Sequence, residues 1–244
     1  MTDTKRNGLT SCQLKILAIS AMLCDHLAKF ISVHSVPTLI LAAIMNSIGR
    51  LTMPIMCFFI AEGYYRTKNL KKYLLRLFIF AVISQIPFYI YKLDAPPSNM
   101  YEFIVGNLHP NVIYTLFMGL LALTIAKAEK LHSAVKILLI IITVILTYSS
   151  DWGIYGVLWV LIFGLLKKDF KKQGILFAVT VLYLSAESFF VGNYLGSAIK
   201  LFALLSLPLL RLYNGQQGRK IKYGFYLFYP AHLLVLGIIG LLTA

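Results

Sequence analysis

Long apolar runs broken by short polar segments make up most of the chain. Stretches long enough to cross a bilayer as helices lie at 14–32, 50–67, 73–92, 110–126, 134–149, 153–166, 174–190, 195–211 and 222–242, about nine spans in all. The run 37–48, VPTLILAAIMNS, is apolar but only about a dozen residues long, so it predicts an interfacial or re-entrant piece rather than a crossing. No internal repeat, low-complexity segment or loop large enough for a soluble domain interrupts the pattern. The expectation is an all-α, polytopic helical membrane protein of one domain over 1–244.

Composition agrees, with 59% hydrophobic and 13% charged residues. A net charge of +14 would point to nucleic acid in a soluble protein, but here the cations gather in short loops, where they orient the chain in the bilayer and imply no nucleic-acid partner. Lys5, Arg6 and Lys15 precede the first span. Further groups follow the second, fourth, sixth and eighth spans, with the intervening loops poor in cations: Arg66, Lys68, Lys71 and Lys72; Lys127, Lys130 and Lys136; Lys167, Lys168, Lys171 and Lys172; Arg211, Arg219, Lys220 and Lys222. The loop LDAPPSNMYE carries instead the acids Asp94 and Glu102. This alternation predicts a cytoplasmic amino terminus and an outer carboxyl terminus. Ala18-Ile19-Ser20 resembles a signal cleavage site, but the apolar run continues past it, so the first helix is expected to stay. Three cysteines, Cys12, Cys24 and Cys57, form no ligand spacing and no disulfide framework, and no metal site is expected.

Candidate chemistry lies in the polar residues inside the apolar runs, since ionisable groups in hydrocarbon are costly and tend to be functional. Asp25 and His26 lie in LKILAISAMLCDHLAKF, roughly 15 Å from Lys15 along a helix and so near the middle of the membrane. Adjacent on a helix, they diverge by about 100° and each requires a partner from elsewhere. Arg50, in NSIGRLTMPIM beside Gly49 and Pro54, is the nearest cation for Asp25; either they form a structural pair, or His26 faces a passage as a general base. Glu62 and Arg66, four apart in IAEGYYR, share a helical face and can pair. Together with Arg76 they set guanidinium groups near the cytoplasmic rim, suited to a phosphate or to lipid head groups. SQIPF places Gln85 and Pro87 inside the third span. Toward the outside lie His109, Asn111, Glu187 and DWGIYG with Asp151 and Tyr155, where Asp151 either caps a helix or faces a substrate. In the last span Tyr226, Tyr229 and His232 recur every three residues beside Pro230, along one face.

The segments LKILAISAMLCDHLAKF, IGRLTMPIMCFFIAEGYYRTKNLKKYLLRLFIFAVISQIPF, NVIYTLFMGLLAL, DWGIYG and YLFYPAHLL resemble, in order and spacing, the TraX family of membrane proteins, from about Leu14 to Leu234. That family is associated with acetylation of the amino terminus of conjugative pilin and is similar to transmembrane acyltransferases acting on cell-surface glycans. The resemblance implies an acetyl-CoA-dependent acetyltransferase in the bacterial cytoplasmic (inner) membrane, with a protein amino terminus or a glycan as acceptor. It suggests His26, Asp25, His232 and Arg50 as catalytic residues. Arg66, Arg76, Glu62, Tyr229 and Gln85 would bind acetyl-CoA, and Asp151, Asn111 and Tyr155 would bind the acceptor. In this scheme a passage joins a cationic inner mouth at Arg66 and Arg76 to the histidine halfway across. The rival expectation is a proton-coupled transporter or flippase, favoured by the prolines at 54, 87 and 230 but not by the missing repeat.

Overall fold

The computed structural model describes residues 8–31, 34–93, 99–102, 109–219, 221 and 223–243. Lys5, Arg6, Asp94, Lys220 and Lys222, used above to orient the chain, lie outside the described residues. The described residues are 80% helical and include no strand. The principal helices are α1 (Ser11–Leu27), α2 (Val36–Gly49), α3 (Thr52–Arg66), α4 (Leu70–Lys92), α5 (Val112–Ala126), α6 (Ser133–Leu146), α7 (Gly153–Leu165), α8 (Phe170–Phe190), α9 (Tyr194–Leu201), α10 (Ser206–Arg211) and α11 (Gly224–Thr243).

Among the described residues, five helical stretches are long and apolar enough to cross a membrane: Val36–Arg66, Leu70–Lys92, Phe170–Phe190, Tyr194–Arg211 and Gly224–Thr243. Three shorter apolar helices, α5, α6 and α7, accompany them. The expected nine crossings are therefore not reproduced by length and composition. Two differences have clear causes. The run 37–48 does not stand apart from the second span: α2 passes through a turn at Arg50 and Leu51 into α3, giving one apolar helical stretch of 31 residues. The first helix ends at Leu27, where a 3-10 turn over Ala28–Phe30 takes over. Asp25 and His26 thus occupy its last turn rather than its interior.

The chain forms two compact units, Met1–Met56 with Gly174–Phe225, and Cys57–Gln173 with Tyr226–Ala244. In the first, Thr10 and Gln13 form a capping box at the start of α1. The next two amides donate to Gln216 O and Gln217 O (2.9 and 3.1 Å), so the segment after α10 satisfies donors that a helix end leaves open. Thr52 Oγ1 donates to Ala18 O (2.9 Å) and ties the start of α3 to α1.

In the second unit α5 and α7 form the interior. Leu120, Leu123, Val157, Trp159 and Val160 are fully buried. These helices have 15 and 13 residues, roughly 20 Å of length and less than a bilayer core, which suits elements shielded by longer neighbours. α4 turns Leu75, Phe78, Ile79, Val82, Ile83 and Ile86 outward, an exposed apolar face that suits lipid and not water.

Candidate functional site

Asp25, His26 and Arg50 belong to the first unit, and all the other predicted site residues to the second. α2 crosses α1 at Gly49, where a Cβ would meet Asp25 Cβ at 2.3 Å. This close approach carries Arg50 onto Asp25: one terminal nitrogen donates to both carboxylate oxygens, at 2.9 and 3.1 Å, while Nε donates to Asn46 O at 3.1 Å. The pair expected from sequence is formed and partly buried. His26 is half-buried in the same turn of α1.

Sequence reasoning passed over a further cation in this unit. Lys200, on α9, donates to Ser188 Oγ and reaches Leu184 O (3.4 Å), both on α8. A lysine inside the run 195–211 was the signal that could have found it.

Within the second unit the polar residues form three groups. In the first, Glu62 accepts from Arg66 Nε at 2.6 Å, the predicted i, i+4 pair, and its other oxygen lies 3.1 Å from Lys167 Nζ. Lys167 also lies over the Tyr65 ring (4.2 Å), and Tyr65 donates to Gly164 O (2.6 Å). Glu62 is therefore a clamp between the ends of α3 and α7, and Arg66 is committed to it. Arg76 is arranged differently: its Cζ lies 5.3 Å from the ring centroids of both Tyr73 and Tyr226.

The second group joins α4 to the start of α5. Asn111 caps α5, accepting at Oδ1 from Ile113 N and Tyr114 N (3.0 and 3.3 Å). Its Nδ2 donates to Ala81 O (2.7 Å) and Gln85 Oε1 (2.8 Å), and Gln85 Nε2 donates to His109 O (2.9 Å). Asn111 is fully buried with its whole hydrogen-bonding capacity used. Asp151 stands beside this network because its N–H donates to Pro110 O (3.0 Å). Trp152 occupies the cap position of α7, and Asp151 Oδ1 lies 3.7 Å from Lys92 Nζ. Burial pushes the His109 imidazole below its ordinary pKa and the Lys92 ammonium acts the same way, while the Asp151 carboxylate opposes them. Tyr155 is buried in the first turn of α7.

The third group is the Tyr229 and His232 face of α11. The rings meet edge to face with centroids 5.8 Å apart, and Phe228 stacks on His232 at 4.7 Å. His232 Nδ1 lies 2.7 Å from Phe228 O, a carbonyl that can only accept, so Nδ1 carries the proton and Nε2 is the basic nitrogen of the neutral ring. Pro230 within α11 lacks the N–H that would serve the preceding turn.

The family model described as TraX protein matches residues 11–240. A curated relative from Dichelobacter nodosus, "Probable fimbrial assembly protein FimC, serogroup H1", is 37% identical over 234 residues, covering 92% of this chain and 93% of that protein. No solved structure matches. The chain belongs to the TraX family.

Proposed function

We propose that this protein is a membrane-embedded acetyltransferase of the bacterial inner membrane, moving an acetyl group from cytoplasmic acetyl-CoA to an amine or hydroxyl at the outer side. The observation that carries the reading is TraX-family membership across residues 11–240, in a chain whose apolar helices hold Asp25, His26 and His232. The fimbrial assembly name of the relative favours a pilin-type amino terminus as acceptor over a glycan.

Acetyl-CoA supplies an activated thioester. Arg76 and the loop lysines hold its phosphates, the Glu62–Arg66 pair fixes the end of α3 beside them, and Gln85 and Tyr229 shape the donor site. His26, or His232 through Nε2, accepts the proton of the attacking amine or hydroxyl, a role worth a few powers of ten in rate. Asp25 and Arg50 fix the charge beside His26. Asp151 and Tyr155 orient the acceptor, and Asn111 holds the α5 start in place beside them. With the amino terminus in the cytoplasm, Arg66 and the Lys167 loop face the donor's compartment.

Mass spectrometry of envelope proteins and glycans from cells with and without the gene tests this reading. An acetyl mark that is present with the wild-type gene and absent with His26→Ala supports it. Pro87 and Pro230, which interrupt the hydrogen-bond ladders of α4 and α11, favour transport as a second reading. Transport is indicated if no mark changes and the purified protein carries protons across vesicle membranes.

A further inference from the structure

Arg66 and Arg76 are in different electrostatic situations. Arg66 is paired with Glu62, on its own helix, which also takes Lys167. Arg76 has no such partner: among the described residues no carboxylate pairs with it, and its Nε is buried without a hydrogen-bond acceptor. It lies six residues into a membrane-spanning helix, about 9 Å from Leu70, where an uncompensated guanidinium is unfavourable. The rings of Tyr73 and Tyr226 lie beside it but cannot accept its in-plane donors.

The surroundings hold this guanidinium in place. Tyr73 is buried on the preceding turn, and its hydroxyl occupies space that only a glycine at 63 leaves open, since a Cβ there would meet it at 2.7 Å. Tyr226 is held by Phe80, with stacked rings 4.9 Å apart. α3, α4 and α11 thus converge on one cation whose buried Nε has no acceptor. A planar guanidinium of this kind recognises phosphate oxygens in pairs.

We propose that Arg76, flanked by Tyr73 and Tyr226, is the seat of a phosphate anion, and that Arg66 is a structural cation belonging to Glu62. The anion is a phosphate of a soluble donor such as CoA, which rests on the function proposed above, or the phosphate of a lipid head group. In either case the anion supplies the missing counter-charge and the acceptor for Nε.

The test uses the full-length protein in phosphatidylcholine nanodiscs titrated with CoA, and in detergent with added phosphatidylglycerol read by native mass spectrometry. Arg76→Gln is expected to weaken CoA binding about tenfold or more, whereas Arg66→Gln changes it little. Arg76→Lys and Gly63→Ala, the second of which leaves every charge in place and displaces Tyr73, should weaken the same binding and stand in if Arg76→Gln does not fold. If the wild type ignores CoA but retains phosphatidylglycerol that the Arg76 variants release, the seat is real and its anion is lipid, so the donor reading falls while this one stands. If CoA binds the wild type and the Arg76 variants equally and lipid retention is unchanged, the assignment of Arg76 is overturned and the donor reading survives. Loss of CoA binding in Arg66→Gln alone overturns it as well.

Discussion

Gly49 lies directly against Asp25: a Cβ on Gly49 would stand 2.3 Å from Asp25 Cβ and 2.6 Å from its Oδ1. The same crossing of α1 and α2 places Arg50 on that carboxylate. Gly49→Ala has no side-chain end to push aside, because the obstruction begins at Asp25 Cβ. It should part the two helices and cost about 1–3 kcal/mol, visible as a lowered unfolding temperature in detergent. An unchanged unfolding temperature would mean that the helices do not cross at this point.

The pair itself can be separated from the packing. Asp25→Asn and Arg50→Gln should each destabilise the protein, and the double variant should lose less than the sum of the two. A coupling of about 0.5–3 kcal/mol is expected for groups in contact. Strict additivity in a double-mutant cycle would show that the two side chains do not interact.

Asn111 is expected to act on stability. Asn111→Leu removes the cap of α5 and takes away the Nδ2 donor to Gln85 Oε1 and Ala81 O, leaving Gln85 Oε1 the backbone N–H of residue 111. The loss should be about 1–3 kcal/mol. Chemical denaturation of the purified variant measures it, and a stability within error of the wild type would contradict the network.

His109 should titrate below an ordinary histidine, with neighbours acting in opposite directions. Lys92→Met should raise its pKa and Asp151→Asn should lower it further, as read from histidine NMR shifts across a pH series. The unfolded chain takes up this proton more readily than the folded one. The contribution of His109 is therefore fully present above about pH 6.5 and declines as the pH falls through the folded value. A shift of the wrong sign in either variant would remove Lys92 and Asp151 from its surroundings.

Parts of the site were legible because they are local or carry a strong signal. Glu62 and Arg66 lie one helical turn apart, and Tyr229 and His232 share a face through their spacing of three, so helix geometry alone brings each pair together. Asp25 and Arg50 were matched because few charges lie in that part of the chain. Lys167 with Glu62 and Lys92 with Asp151 were not legible. Each joins residues far apart in sequence, and a loop lysine looks the same whether it reaches water or a carboxylate. Asp151 illustrates this: its position before α7 left a cap and a substrate contact both open, and only the structure brings the Lys92 ammonium to within 3.7 Å of its carboxylate.

The sequence by itself determined that the chain is helical, solvated by lipid and of the TraX family, because hydrophobic period, run length and motif order are properties of the chain read in one dimension. Where helices end and which charges are compensated was decided only by tertiary structure. α1 stops at Leu27 within the run 14–32, Lys167 finds the Glu62 carboxylate, and Arg76 finds two aromatic rings. The reason is physical: composition fixes what a segment's surroundings must be, whereas the partner of a buried charge depends on which helix packs beside it.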